Sequence, residues 1–119
     1  MKNRMFLINK ILLIFDQMII IKGIPLSRIN GITLFPFIIV RPRNPDKVLI
    51  NHERIHIRQQ LELLVIPFYI WYVAEWLYHY LRCGEWWTAY RRIGFEKEAY
   101  ANQEDLNYLK TRKLWAFLK

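Results

Sequence analysis

Residues 5 to 22 run through Ile, Leu, Phe and Met, with formal charges only at Lys10, Asp16 and Lys22. Such a run suits an amphipathic helix or a buried strand, and its period does not choose between them. Gly23-Ile24-Pro25 and Asn30-Gly31 mark turns. Between Ile32 and Arg41 the β-branched and aromatic residues of ITLFPFIIVR predict a strand. Pro36 lacks an N–H, which places that strand at a sheet edge. The two prolines of RPRNPD (41 to 46) make a tight polar turn. Asp46 is then a good N-cap for a helix beginning near Lys47. That helix runs on through the apolar LELLVIPFYIWYVAEWLYHYLR until Cys83-Gly84, with Pro67 favouring a kink or break. A polar, aromatic connector follows, and Gly94 precedes a last helix from about Phe95 to Leu118.

No internal repeat and no interdomain linker interrupts this order. The chain of 119 residues is therefore expected to form one domain over 1–119. It divides into a strand or hairpin region (1–45), a helix continuing into an apolar helical hairpin (46–83) and a C-terminal helix (94–118). The N-terminal run is interrupted by charge and lacks a small-residue cleavage site, so it reads as part of the folded protein and not as a cleavable signal.

Composition changes the picture in two ways. Five Trp, seven Tyr and seven Phe let a small core bury a large area, and aromatics also gather at membrane interfaces. The net charge of +8 is scattered, with no basic block or flexible arm. It suits anionic lipid headgroups better than nucleic acid, which is not an expected partner. The single cysteine, Cys83, excludes an internal disulfide and any multi-thiolate metal site, so a metal would be held by His and carboxylate.

The pattern His52-Glu53-Arg54-Ile55-His56 supplies such a pair. Four residues apart on a helix, the two imidazoles project from one face and converge on one tetrahedral cation. Glu53, one step round, can touch a metal-bound water without being a ligand. Two neutral imidazoles would hold zinc while the carboxylate takes the proton of water. A catalytic zinc needs a third protein ligand. Glu62 is carried away from the histidine face by an unbroken helix, with Gln59 where a chain-turning glycine would be needed. His79 lies among aromatics, where a histidine is more often an interface residue than a ligand.

Glu96-Lys97-Glu98-Ala99 resembles, together with the histidine pair, the gluzincin class of zinc metallopeptidases. In that class His-Glu-x-x-His is completed by a Glu on a later helix, in membrane-linked members within Glu-x-x-Ala-Asp. The resemblance covers residues 47 to 62 and 94 to 104, and implies Glu96 as third ligand and Glu53 as catalytic base. Ala99, one turn beyond Glu96, would let the two helices approach closely. Glu98 lies about 200° round the helix from Glu96, so both cannot reach one metal; it is the reserve choice. Tyr100 stands where the class has Asp, and would support the ligands or donate to an oxyanion. The class also binds extended peptide along a strand, a part open to Ile32, Leu34, Phe37 and Ile39. Arg41 and Arg43 are candidates for binding a carboxylate or phosphate.

Leu63 to Leu81, charged only at Glu75, is barely long enough to span a bilayer. A full span would leave Glu96 across about 30 Å of hydrocarbon from His52. A shared metal site therefore requires a bent hairpin that brings the chain back, its apolar outer face set in the core, a homo-oligomer or a membrane surface. The expected fold is α+β, mainly helical and zincin-like. The expected function is zinc-dependent hydrolysis of a peptide or protein, in a membrane-associated or cytoplasmic setting. The alternative is a membrane-associated interaction protein with a structural metal or none.

Overall fold

The computed structural model describes residues 4, 7, 8, 10 and 19–118. The readings of 5 to 22 as helix or strand, and of the N-terminus as uncleaved, fall mostly outside them; Ile19–Ile21 is a strand, β1.

Asp46 caps the first helix, α1 (Lys47–Glu62), its carboxylate accepting the Leu49 N–H at 2.8 Å. The helix does not continue into the apolar run. Leu64 and Val65 both take positive φ (60° and 68°), and a second helix, α2 (Ile66–Cys83), leaves at 114° to the first. The break expected near Pro67 is present, at Leu64 and Val65 just before it, and Pro67 lies in the first turn of the new helix, where its missing N–H removes no intrahelical bond. Gly84 closes α2 in the left-handed conformation at φ 70°. Among the described residues no single helix is long and apolar enough to cross a membrane; α1 and α2 pass that test only as a bent pair.

The connector after Gly84 is itself helical. Glu85 accepts the N–H groups of Trp87 and Thr88 and starts α3 (Trp86–Arg92), and α4 (Gly94–Asn102) follows directly. The single C-terminal helix expected from 95 to 118 is broken. After Asn102 come a turn, a short α5 (Tyr108–Thr111) and a 3-10 turn at Ala116–Leu118. Two buried polar contacts explain the break. Asn51 Nδ2, on α1, lies 2.8 to 3.4 Å from the carbonyls of Asn102, Gln103 and Asp105, which a continuing helix would have consumed. Arg112 turns inward to bond both oxygens of Glu62 (2.8 and 3.0 Å) and the carboxylate of Glu98.

The strand expected over Ile32 to Val40 is two strands. β2 (Gly31–Leu34) and β3 (Phe37–Val40) form an antiparallel hairpin, with Ile32 opposite Ile39 and a cis Phe35–Pro36 bond in the turn. β1 pairs with β3 in parallel, so the order is β1-β3-β2, with β3 in the centre and β2 at an edge. Pro36 therefore lies in a turn and marks no edge strand. Ile38, Val40 and Ile57 pack the sheet on α1, and Ile55, Ala99 and Leu109 join α1 to α4 and α5. Phe68, Tyr90, Ile93, Phe95 and Phe117 fill the space between α2, α3 and α4. The result is a mainly helical α+β fold with a small three-stranded sheet.

The Glu62–Arg112–Glu98 contact is almost fully buried. Removing the guanidinium leaves two carboxylates without their counter-charge, so Arg112→Met is expected to lower stability by about 3–5 kcal/mol, read from urea unfolding.

Candidate metal centre

Helix α1 is unusual in burying polar side chains all round: Asn51, His52, Glu53, His56, Gln59 and Gln60 are each at most 5% exposed. Such burial is tolerated only if each group finds a partner. His52 and His56 share one face, as their spacing requires, with Nε2 atoms 3.2 Å apart. Glu96, in the first turn of α4, meets both: Oε1 lies 3.1 Å from His52 Nε2 and Oε2 lies 3.0 Å from His56 Nε2. Ala99 is fully buried against Ile55, so the close approach of the two helices rests on its small side chain.

The tautomers follow from the neighbours. Gln59 Nε2 faces two acceptors, the Phe95 carbonyl (3.1 Å) and the Glu98 carboxylate (2.9 Å). Its Oε1 therefore faces His56 Nδ1 at 2.7 Å, and Nδ1–H donates to it. Gln103 Oε1 lies 2.9 Å from His52 Nδ1. A neutral His56 thus aims its Nε2 lone pair at the Glu96 carboxylate, and His52 Nε2 faces the other oxygen of the same group. A buried set of acceptors at contact distance repels unless a positive charge sits among them. Ligand atoms at the corners of a tetrahedral zinc, with bonds of about 2.0–2.1 Å, lie about 3.3 Å apart. The two Nε2 atoms, 3.2 Å apart, come close to that; with one oxygen of Glu96 the ligand atoms all lie within 4.8 Å of one another, and the three residues form a possible metal-binding site.

Glu53 stands beside this triangle. Its Oε2 is 3.9 Å from His52 Nε2, while Oε1 accepts from the Thr33 hydroxyl at 2.7 Å. Gly31 packs on the same carboxyl group; a Cβ there would come within 3.1 Å of it. Burial pushes the Glu53 carboxyl up, against the opposing pull of the two imidazoles and Thr33. Tyr72, on α2, donates to Glu96 Oε2 at 2.6 Å, and burial beside that carboxylate raises its hydroxyl far above the usual range. Burial also disfavours charge on Glu96 and His56. Their mutual attraction outweighs it, holding Glu96 well below the usual carboxylate range and pushing His56 up to about 9.

Other expected residues take other places. Glu98 points away from the triangle to Arg112, Gln59 and Tyr108, and Glu62 also serves Arg112. His79 lies 3.9 Å from Glu75 on its own helix. The Tyr100 ring packs edge-on against His52, with its hydroxyl 3.5 Å from that of Tyr90. Ile32 and Leu34 line a largely apolar cavity of about 400 Å³ that reaches Glu53, His56 and Glu96. Phe37 and Ile39 do not line it: they belong to β3, which is paired on both sides. Gln60 bonds the Thr33 carbonyl and the Phe35 N–H of β2, occupying part of the strand edge. A smaller cavity of about 250 Å³ on the His52 side of Glu53 includes Arg28, Arg41 and Tyr100. Arg41 also bonds Leu26 O and Asn30.

Sequence reasoning missed Gln59, Gln103 and Tyr72. Gln59 had a signal, three residues after His56 and within reach on the helix; the other two depend on tertiary approach. No family model, no curated protein and no solved structure matches this chain.

Two outcomes are expected. Because His56 in the folded protein holds its proton above its ordinary 6.5 and Glu96 loses its own below the ordinary 4.5, the pair contributes fully between about pH 4.5 and 6.5. Metal-free protein should lose that stability as pH rises through about 9, and added zinc should restore it in urea unfolding at the higher pH. Gln59→Leu should weaken metal affinity by about 10–100-fold, measured by competition with a chelating dye.

Proposed function

We propose that the protein is a zinc-dependent peptidase of gluzincin type, with His52, His56 and Glu96 as ligands and Glu53 as general base. The observation that carries this reading is the triangle of two imidazole nitrogens and a carboxylate, with a second buried carboxyl group beside it that belongs to none of its corners. When bound, zinc supplies Lewis-acid polarisation of a carbonyl and makes water at the site more acidic.

The residues of the chain do the rest. Thr33 and the close backbone of Gly31 fix the Glu53 carboxyl group and leave Oε2 free. Glu53 takes a proton from water at that oxygen and returns it to the leaving amine, an exchange suited to a carboxyl group whose burial raises its proton affinity. Gln59 keeps the His56 Nε2 lone pair directed inward, and Gln103 Oε1 would do the same for His52 as acceptor from Nδ1–H. Tyr72, whose raised hydroxyl stays protonated, steadies Glu96 through its hydrogen bond. The cavity walls (Ile32, Leu34, Phe68, Trp76) exclude bulk water and suit an apolar side chain of a peptide or protein substrate. With Gln60 on the Thr33–Phe35 end of β2, the backbone of such a substrate would pair nearer Gly31.

The test needs protein purified without a metal-binding tag. Equimolar zinc is expected in the wild type and its loss in His52→Ala and Glu96→Gln. Glu53→Gln should keep the metal and reduce cleavage of a fluorogenic peptide library by about 10²–10⁴-fold. Metal-free wild type, or cleavage indifferent to Glu53→Gln, would sink the peptidase reading.

A further inference from the structure

We propose that the outer face of α2 docks on an anionic lipid surface, lying in the plane of the interface. Of the eighteen residues in this helix only Phe68 is buried. At 100° per residue, Ile66, Ile70, Val73, Leu77 and Leu81 share one band about 80° wide. All are exposed, from 47% at Leu77 to 75% at Leu81, and Leu64 in the preceding break is 80% exposed. Tyr80 borders this band on one side. Ala74, Pro67, Tyr78 and Trp71 extend it on the other, so that about half of the helix circumference is apolar and open.

The distribution across this face identifies its occupant. Aliphatic side chains hold the centre, while Tyr and Trp, which have an apolar body and a polar tip, hold the shoulders. That is the order of depth at a membrane interface. A partner helix would need only a narrow seam with charged flanks, and here the flanks are apolar too. The helix has only two formal charges. Glu75 turns inward to accept the Gly94 N–H at 3.2 Å, and Arg82 sits at the end of the face, its guanidinium 5.6 Å from the Tyr78 ring centre. A net charge of +8 complements anionic headgroups. Val73 belongs both to this face and to the rim of the 400 Å³ cavity, so docking brings the mouth of the cavity to the lipid surface.

The inference is independent of the peptidase reading, because lipid binding is read without any hydrolysis assay. Full-length protein is mixed with vesicles of phosphatidylglycerol and phosphatidylcholine in equal parts, then sedimented. Co-sedimentation is expected, weakened in pure phosphatidylcholine and in high salt. The double substitution Ile70→Glu and Leu77→Glu should weaken it by about tenfold or more while leaving circular dichroism and zinc content unchanged, since both positions are solvent-exposed. The proposal is overturned if the wild-type chain stays in the supernatant. It is also overturned if binding appears only after residues 1 to 18 are deleted, or if the double variant instead dissolves a dimer of a chain that ignores vesicles.

Discussion

Two imidazole nitrogens and both oxygens of a carboxylate converge in the interior, and a buried carboxylate there demands a proton or a cation among them. A proton on His56 can satisfy it in part, as the raised proton affinity of that ring indicates. A divalent ion satisfies it more fully, since all three donors then share one positive centre. Whichever cation is present, the surrounding structure must hold these four atoms in place. Much of the remaining architecture can be understood as that support.

Helix α1 shows how the support is distributed. On one side Glu53 and Gln60 reach the edge strand through Thr33 and Phe35. On another, Asn51 gathers the carbonyls that end α4, which brings Gln103 over His52. Gln59 bridges the His56 ring to the start of α4, where Glu96 lies. Glu62 and Glu98 draw Arg112 inward and bind the C-terminal segment to the same helix. The apolar clusters around α1 are small and separate, so these polar contacts specify relative position where apolar packing alone would leave it loose. A network of this kind is tightly constrained, because each member left unpaired carries a desolvation penalty of about 1–3 kcal/mol.

The parts of this arrangement that were legible in the sequence are those with local rules. Spacing put His52 and His56 on one face and Asp46 announced the start of α1, while Glu96 and Ala99 came from a resemblance to a family motif. What could not be read depends on partners distant in sequence. Gln59 looked like an obstacle to a chain reversal, whereas in the fold it fixes a histidine tautomer. Tyr72 was one aromatic among many in an apolar run, and only the 114° turn before α2 brings it to Glu96. That turn uses positive φ at Leu64 and Val65, residue types that rarely adopt it, so no local preference advertised it. The helix at 86–92 was hidden because its cap is Glu85, a weaker capping signal than Asp or Ser.

Helix α2 ties the surface of the molecule to its interior. Its inner side presents Phe68, Tyr72 and Trp76 to the cavity, and Tyr72 holds the carboxylate at the centre. Its outer side is aliphatic and open. Both sides belong to one rigid rod, fixed at its start by the break at 63–65 and along its length by α3 and α4. A 2.6 Å contact to a charged oxygen is sensitive to small displacements. The fold thus places Tyr72, a support of the candidate metal site, and the most exposed apolar surface on opposite sides of one helix.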